Sequence, residues 1–187
     1  MSHRSLVGQL LVAHPQNPRD RAHRSVSIIV THLPELAVAL QLNAPHEDLT
    51  LSRVSKNIGI DHEGESPIYF GGVINQHKIH VIHSMDWAGV GTVQLTPDIG
   101  LTNDISVLMA ISRAQGPEYY RACAGYWCWE QGQLEREIEG DLDPEIQAAH
   151  RWEVIPADFD LVFLTDAADQ WHVGIDTVAR IRVSEWF

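Results

Sequence analysis

The sequence predicts an α+β fold, a single domain over residues 1–187 with an antiparallel or mixed β-sheet core flanked by helices. Runs such as Val26–Val30 (VSIIV) are rich in β-branched residues and too short for a stable helix, so they read as buried strands. Between such runs, apolar residues recur at helical spacing, as Leu134 and Ile138 do in EQGQLEREI, which marks one buried helix face. A chain of 187 residues builds one substantial core, whereas two independent cores would each be small.

The first strand is expected within Ser5–Ala13, with Leu10 and Val12 on one face and Leu11 and Ala13 on the other; Pro15 and Pro18 end it. Val26–Val30 is the second. After Pro34 the alternation of Val38, Leu40 and Leu42 predicts a strand returning in a hairpin, closed by Asn43 and Pro45. Leu51, Val54 and Ile58 predict a short helix within Glu47–Ile60 that stops near Asn57–Gly59. Ile68–Ile74 and Lys78–Trp87 read as two strands around a turn at Asn75–His77, and Gly71–Gly72 predicts a bulge or a close backbone approach. A short strand and turn in Gly91–Thr102 lead to a helix over Asn103–Ala114, capped by Thr102 or Asn103, with Ile105, Leu108 and Met109 facing inward. Arg121–Trp129 is a strand that runs into the helix of Leu134 and Ile138. Beyond Trp152–Asp158, Asp160–Leu164 (DLVFL) is expected as the last central strand, and the tail starts helical and then partly alternates.

Twenty-five acidic side chains against 13 basic ones give a formal net charge of −12, a field that repels phosphate backbones and anionic lipid. No apolar run approaches the roughly 20 residues of a membrane-crossing helix. The leading MSHRS is followed by no adequate h-region, so the cytoplasm is the expected compartment and no membrane partner is expected. The spacing of Cys123 and Cys128 fits neither a redox CxxC nor a zinc knuckle, and both read as buried thiols acting as small hydrophobes.

The segment GYWCWEQGQLEREI resembles the signature of the YqgE/AlgH-like (UPF0301) family at Gly125, Tyr126, Trp129, Gly132, Gln133, Leu134, Glu135, Glu137 and Ile138. Ala13, Pro15, Arg24–Val26, His32, Asn43, Pro45 and Gly71–Gly72 follow the same family's order, as do His83, Trp152, Pro156–Asp158, Phe163 and Trp171. The likeness runs from about Leu11 to Gly174. It departs at Ala22, in the segment after His32, at Val73 and at His80. The resemblance implies an antiparallel sheet flanked by helices, in agreement with the reading above. It also brings a regulatory label, through one branch linked to alginate production.

Trp127, Trp129, Gly132, Gln133, Glu135 and Glu137 are the candidate ligand- or partner-binding residues. Trp127, Trp129, Trp152 and Trp171 offer a groove or a recognition surface for a partner, or else interlock the C-terminal half with each indole N–H on a backbone carbonyl. Gly132 permits close backbone approach at a helix start, but the surrounding glutamates oppose an anion there. A divalent cation fits poorly too. Glu135 with Glu139, and Glu137 with Asp141, face different sides, while a hard cation takes about six oxygens. The plainer reading is a solvated acidic face above Leu134 and Ile138.

His77, His80 and His83 carry helical spacing inside a strand and cannot converge on zinc, so no metal is expected. GxSxG, P-loop and GxGxxG patterns are absent, so no catalytic residue and no cofactor is assigned. Arg19, Arg21 and Arg24 form the concentrated basic patch, broken by Asp20 and placed in a loop. It is either solvated or a surface for an acidic partner. The expected role is a binding or regulatory accessory protein with a protein or small-molecule partner. The alternatives are a small enzyme of unrecognised chemistry and a direct DNA-binding regulator. No sequence feature sets the oligomeric state.

The DNA alternative requires basic side chains on an element that enters a groove, which this charge distribution does not supply. Purified protein should therefore show no sequence-selective binding to genomic duplex fragments in a salt series around physiological ionic strength. Selective binding tighter than about 10⁻⁸ M, weakened on every sequence by Arg21→Ala, would establish the DNA-binding regulator instead.

Overall fold

The computed structural model describes residues 5–16, 20–62, 64–140 and 151–184. Among these, ten strands form one sheet. They are β1 (Gln9–Ala13), β2 (Val26–Leu33), β3 (Leu36–Gln41), β4 (Pro45–Thr50), β5 (Pro67–Phe70), β6 (Ile74–Ser84), β7 (Val93–Gln94), β8 (Ile99–Thr102), β9 (Tyr120–Glu130) and β10 (Trp152–Pro156). Helices α1 (Leu51–Asn57), α2 (Ile105–Ser112), α3 (Gln133–Glu139) and α4 (Gln170–Ser184) flank it. The order is β10-β1-β2-β3-β9-β6-β8-β7, with β4 on β5 and β5 on β9. Every pairing is antiparallel except β5 with β9. This is the α+β sheet-and-helix arrangement that the sequence predicts. None of the described helices is long and apolar enough to cross a membrane.

β1 sits between β10 and β2 and is covered on both faces, so Leu10, Leu11, Val12 and Ala13 are all fully buried. Leu10 and Val12 join Ile28, Leu40, Ile155 and Val178 in a core roofed by α4. Leu11 and Ala13 join Ile29, Trp129, Leu134 and Trp152 beneath α3. A third cluster packs Leu51 of α1 and Val107, Leu108 and Ile111 of α2 against Ile68, Val81 and Ala122.

β9 organises the sheet. Its residue Cys123 pairs with Tyr69 of β5 on one edge and with His80 of β6 on the other. β5 and β6 are consecutive, so the link between them must pass over β9. It does so at Gly71–Gly72, against Gly125. A Cβ on Gly72 would lie 2.0 Å from the Tyr126 carbonyl carbon, and one on Gly125 would lie 2.7 Å from the carbonyl oxygens of Gly72 and Ile74. Gly125 also has φ +75, where an L side chain is strained. The expected close approach at Gly71–Gly72 is thus a backbone crossing.

Several boundaries differ from expectation. Ser5–Gly8 precede the first strand, which begins at Gln9. Glu47–Thr50 belong to β4, because pairing with β5 claims them, and the helix starts only at Leu51 with the Thr50 hydroxyl accepting from Arg53 N–H. Asn75–His77 lie inside β6 at a bulge; the reversal is at Gly71–Val73, where the chain crosses β9. The cap of α2 is the Asp104 carboxylate, which accepts from Ser106 N–H at 2.8 Å. Its inward face is Val107, Leu108 and Ile111, leaving Ile105 and Met109 exposed.

Asp160–Leu164 is a π-helical turn, not a central strand. The Asp158 carboxylate accepts from Leu161 N–H and turns the chain, and Thr165 N–H reaches back five residues to Asp160 O at 2.8 Å, the wide hydrogen bond of a π-helical turn. The tail is helical to Ser184, with Gln170, Gly174 and Val178 on its buried stripe.

The crossing yields a paired test. Gly59 has nearly the same φ, +76, but nothing near its missing Cβ. Gly59→Ala should cost only the left-handed backbone penalty, ~1–2 kcal/mol. Gly125→Ala adds a clash with backbone that cannot move independently, and should cost more than ~3 kcal/mol or abolish folding. Equal midpoint shifts in urea would show that the crossing is not tight.

Candidate functional site

β9 ends in a turn that delivers its tryptophans to α3. Gly132, at φ 67, takes the left-handed conformation that lets the strand turn into the helix, and Gly140 ends that helix in the same conformation. The Gln133 side chain closes the junction from both sides. Its Oε1 accepts from Glu130 N–H at 3.1 Å, and its Nε2 donates to Glu137 Oε1 at 3.1 Å.

Glu137 is the centre of this junction. It is 8% exposed, and its Oε2 accepts from Trp129 Nε1 at 3.0 Å and from Trp152 Nε1 at 2.7 Å. The two indoles meet edge to face, with centroids 5.9 Å apart and an interplanar angle of 85°. A buried carboxylate is costly unless donors replace water; here three neutral N–H groups from β9, β10 and α3 itself do so. One side chain thereby ties three elements together, reinforced by Arg151 N–H donating to the Glu137 carbonyl at 2.8 Å.

The expected solvated acidic face is therefore confined to Glu139, the exposed one. Glu135 turns to a different side, where its Oε1 accepts from His32 Nε2 at 2.9 Å. His32 is nearly buried, and Leu6 N–H donates to its Nδ1, so the ring proton sits on Nε2. Asp141 lies outside the described residues.

Trp127, Trp129, Gln133 and Glu137 do converge, on a groove of ≈ 390 Å³ completed by Trp152 and Arg151. Gly132 and Glu135 do not line it. The Arg151 guanidinium pairs with Asp20 at 2.8 Å on the rim. Trp127 is half-buried, its indole donating to Gln41 Oε1 at 3.3 Å and its ring edge-on to Phe70. The carbonyl acceptor expected for each indole is found at Trp171, which donates to Ala13 O at 2.8 Å.

Cys128 also lines the groove and is exposed, contrary to expectation, because β9 buries Trp129 and turns its neighbours outward. Cys123 is buried as expected, and burial pushes its thiol up to about 12.

Among the described residues no group of three His, Cys, Asp or Glu side chains could hold a metal. His77 is exposed, His80 bonds Asn103, and His83 is enclosed between Ser84 O and Thr102 Oγ1. Burial lowers His83 from the ordinary histidine range. Of the basic patch, Arg19 lies outside the described residues, while Arg21 stacks over Phe70 and Arg24 over Trp171.

Trp152, one of the tryptophans expected to line a groove or interlock the C-terminal half, does join the junction, while Arg151 carries no local signal for it and arrives because it adjoins β10. The helical spacing of Gln133 and Glu137 was the available signal for their contact.

A stability series separates these roles. Leu134 is fully buried, and Leu134→Ala should cost ~2–5 kcal/mol. Glu137→Ala strands two buried indole N–H groups and should cost ~2–5 kcal/mol, whereas Glu137→Gln keeps an acceptor and should cost less than half as much. Glu139→Ala should fall within ~0.5 kcal/mol. Urea unfolding of the four variants decides it; a Glu137→Ala cost no larger than that of Glu139→Ala would remove the carboxylate from its central position.

The sequence pattern described as AlgH-like matches residues 10–179. A UPF0301 protein of Sphingopyxis alaskensis is 32% identical over 170 residues, covering 90% of this chain and 86% of the relative. One from Methylococcus capsulatus is 33% identical over 176 residues, covering 92% and 91%. Among solved structures, the AlgH protein from Pseudomonas aeruginosa aligns with TM-score 0.68 and 27% identity over 87% of this chain and 85% of that one. A protein of Corynebacterium diphtheriae shares the fold with TM-score 0.70 at 21% identity, over 91% of this chain and 86% of its own. The chain belongs to the AlgH-like (UPF0301) family.

Proposed function

We propose that the protein, acting as a single domain in the cytoplasm, is a binding or regulatory accessory protein that recognises a partner's peptide segment in the groove between β9, α3 and residues 20–22. The observation that carries this reading is the pre-organised aromatic floor. Trp129 and Trp152 are immobilised on one carboxylate, so seating an apolar side chain against them costs little ordering entropy. Trp127, less buried and held by one long hydrogen bond, borders them as an adaptable wall. Arg151 and Asp20 supply a polar rim around an aromatic centre, the usual anatomy of a recognition surface. Glu137 spends both carboxylate oxygens on three donors of the protein itself, which supports a structural part beneath the groove over direct chemistry on a ligand.

Selection from a displayed random-peptide library tests this. Peptides enriched on the native protein should bind Trp127→Ala at least tenfold more weakly while binding Glu139→Ala unchanged, with both variants folded by near-ultraviolet circular dichroism. Failure to enrich any peptide, or equal binding to Trp127→Ala, would overturn the proposal.

A further inference from the structure

We infer that a second pocket, separated from the aromatic groove by Arg21, is a binding site for a small anion: a phosphorylated or carboxylated molecule. It has a volume of ≈ 310 Å³ and lies between Arg21–Arg24, the end of β3 and the first turn of α4. That size is at the lower end of the roughly 300–1,000 Å³ of small-molecule sites.

Charge is the first argument. The chain carries −12, yet among the described residues no carboxylate lines this pocket, while Arg21, Arg24, His23 and His172 all do. Among the described residues neither Arg21 nor Arg24 has a carboxylate partner. Each lays its guanidinium over a ring instead, Arg21 at 5.7 Å from the Phe70 centroid and Arg24 at 5.1 Å from that of Trp171. Stacking leaves the edge N–H groups of a guanidinium unspent, and those are the donors that grip phosphate or carboxylate in a fork. By contrast, Arg151 and Arg182 are neutralised by Asp20 and Glu153.

Unsatisfied polar atoms are the second argument. His23 Nδ1 is buried with no hydrogen-bond partner. Gln41 is 4% exposed; its Oε1 is taken by Trp127, but its Nε2 reaches only Asn43 Oδ1 at 3.5 Å, an oxygen already accepting from Val26 N–H at 2.9 Å. A buried amide donor left this poorly paired is uncommon in a folded protein, and an anion in the pocket would supply its acceptor.

Backbone geometry is the third. Arg24 has φ +53, a left-handed conformation that arginine rarely adopts, and Asn43 holds it there by donating to Arg24 O at 2.8 Å. Strain maintained by a dedicated hydrogen bond is characteristic of sites where a side chain must point one way. Ala167 and Ala168, ahead of the fifteen-residue α4, also line the pocket, so the positive end of that helix adds to the field. Asp166 and Asp169 flank the same turn without lining the pocket.

Titration of the full chain with inorganic phosphate and, separately, acetate, at constant ionic strength, tests the site by NMR of the Trp171 indole and arginine side-chain signals. Saturable millimolar binding of at least one anion is expected. Its Kd should rise at least tenfold in Arg24→Gln and stay unchanged in Arg113→Gln, which removes the same charge elsewhere. Preference for phosphate assigns a phosphorylated ligand, and preference for acetate a carboxylate. Should Arg24→Gln not fold, Arg21→Gln is read in the same way. Non-saturating shifts for both anions, undiminished binding in the pocket variant, or an equal loss in Arg113→Gln would overturn the site.

Discussion

The backbone of Gly72 lies against that of Tyr126 and Trp127 with no room for a Cβ, and the arrangement on both sides of β9 depends on that contact. It allows consecutive strands β5 and β6 to occupy opposite edges of the same strand. β5 then fills one edge beside residues 122–124, and β3 takes over the same edge beside residues 127–130. Two groups of strands are thereby joined through one eleven-residue strand, and its last residues are carried out to meet α3. The groove and the anion pocket both lie near this second half of β9, linked by the Trp127–Gln41 hydrogen bond.

Among the described residues, charge is buried by three different chemistries. Glu137 is solvated by neutral N–H donors, two of them indoles. Glu153 is met by Arg182 with both carboxylate oxygens. Arg121, 6% exposed, donates to the carbonyls of Val162, Leu42 and Thr165 and stacks on Tyr69 at 4.8 Å. This last set explains why residues 160–164 are not a strand. The carbonyls of Leu161 and Val162 are occupied by the Arg121 and Gln170 side chains, and a π-helical turn presents them where a sheet ladder would have consumed them. Against this, Arg21 and Arg24 stand out as cations held over rings with no counter-charge among the described residues.

Local pattern was sufficient for much of the architecture. The apolar density of β1 and β2, the hairpin around Pro34, the strand through Arg121–Trp129 and the one-turn spacing of Leu134 are properties of neighbouring residues, and the strands and helix appear where that pattern puts them. The α+β class followed from the same short-range information. So did the close approach at Gly71–Gly72, because glycine pairs inside a strand pattern have few other uses.

Tertiary structure decided what local pattern leaves open. Glu135, Glu137 and Glu139 are chemically equivalent in sequence; one bonds His32, one is buried under two indoles and one is solvated, because partners more than a hundred residues away or on another strand choose among them. Trp152 and Arg151 join the site only because β10 pairs with β1. The assignment of Glu47–Thr50 to a strand and of Asp160–Leu164 to a helical turn was likewise set by distant groups, β5 in one case and Arg121 in the other. The sequence by itself determined which segments bury apolar surface and with what period; the tertiary structure determined which polar atoms meet, since hydrogen bonds are short and directional and depend on positions that burial alone does not specify.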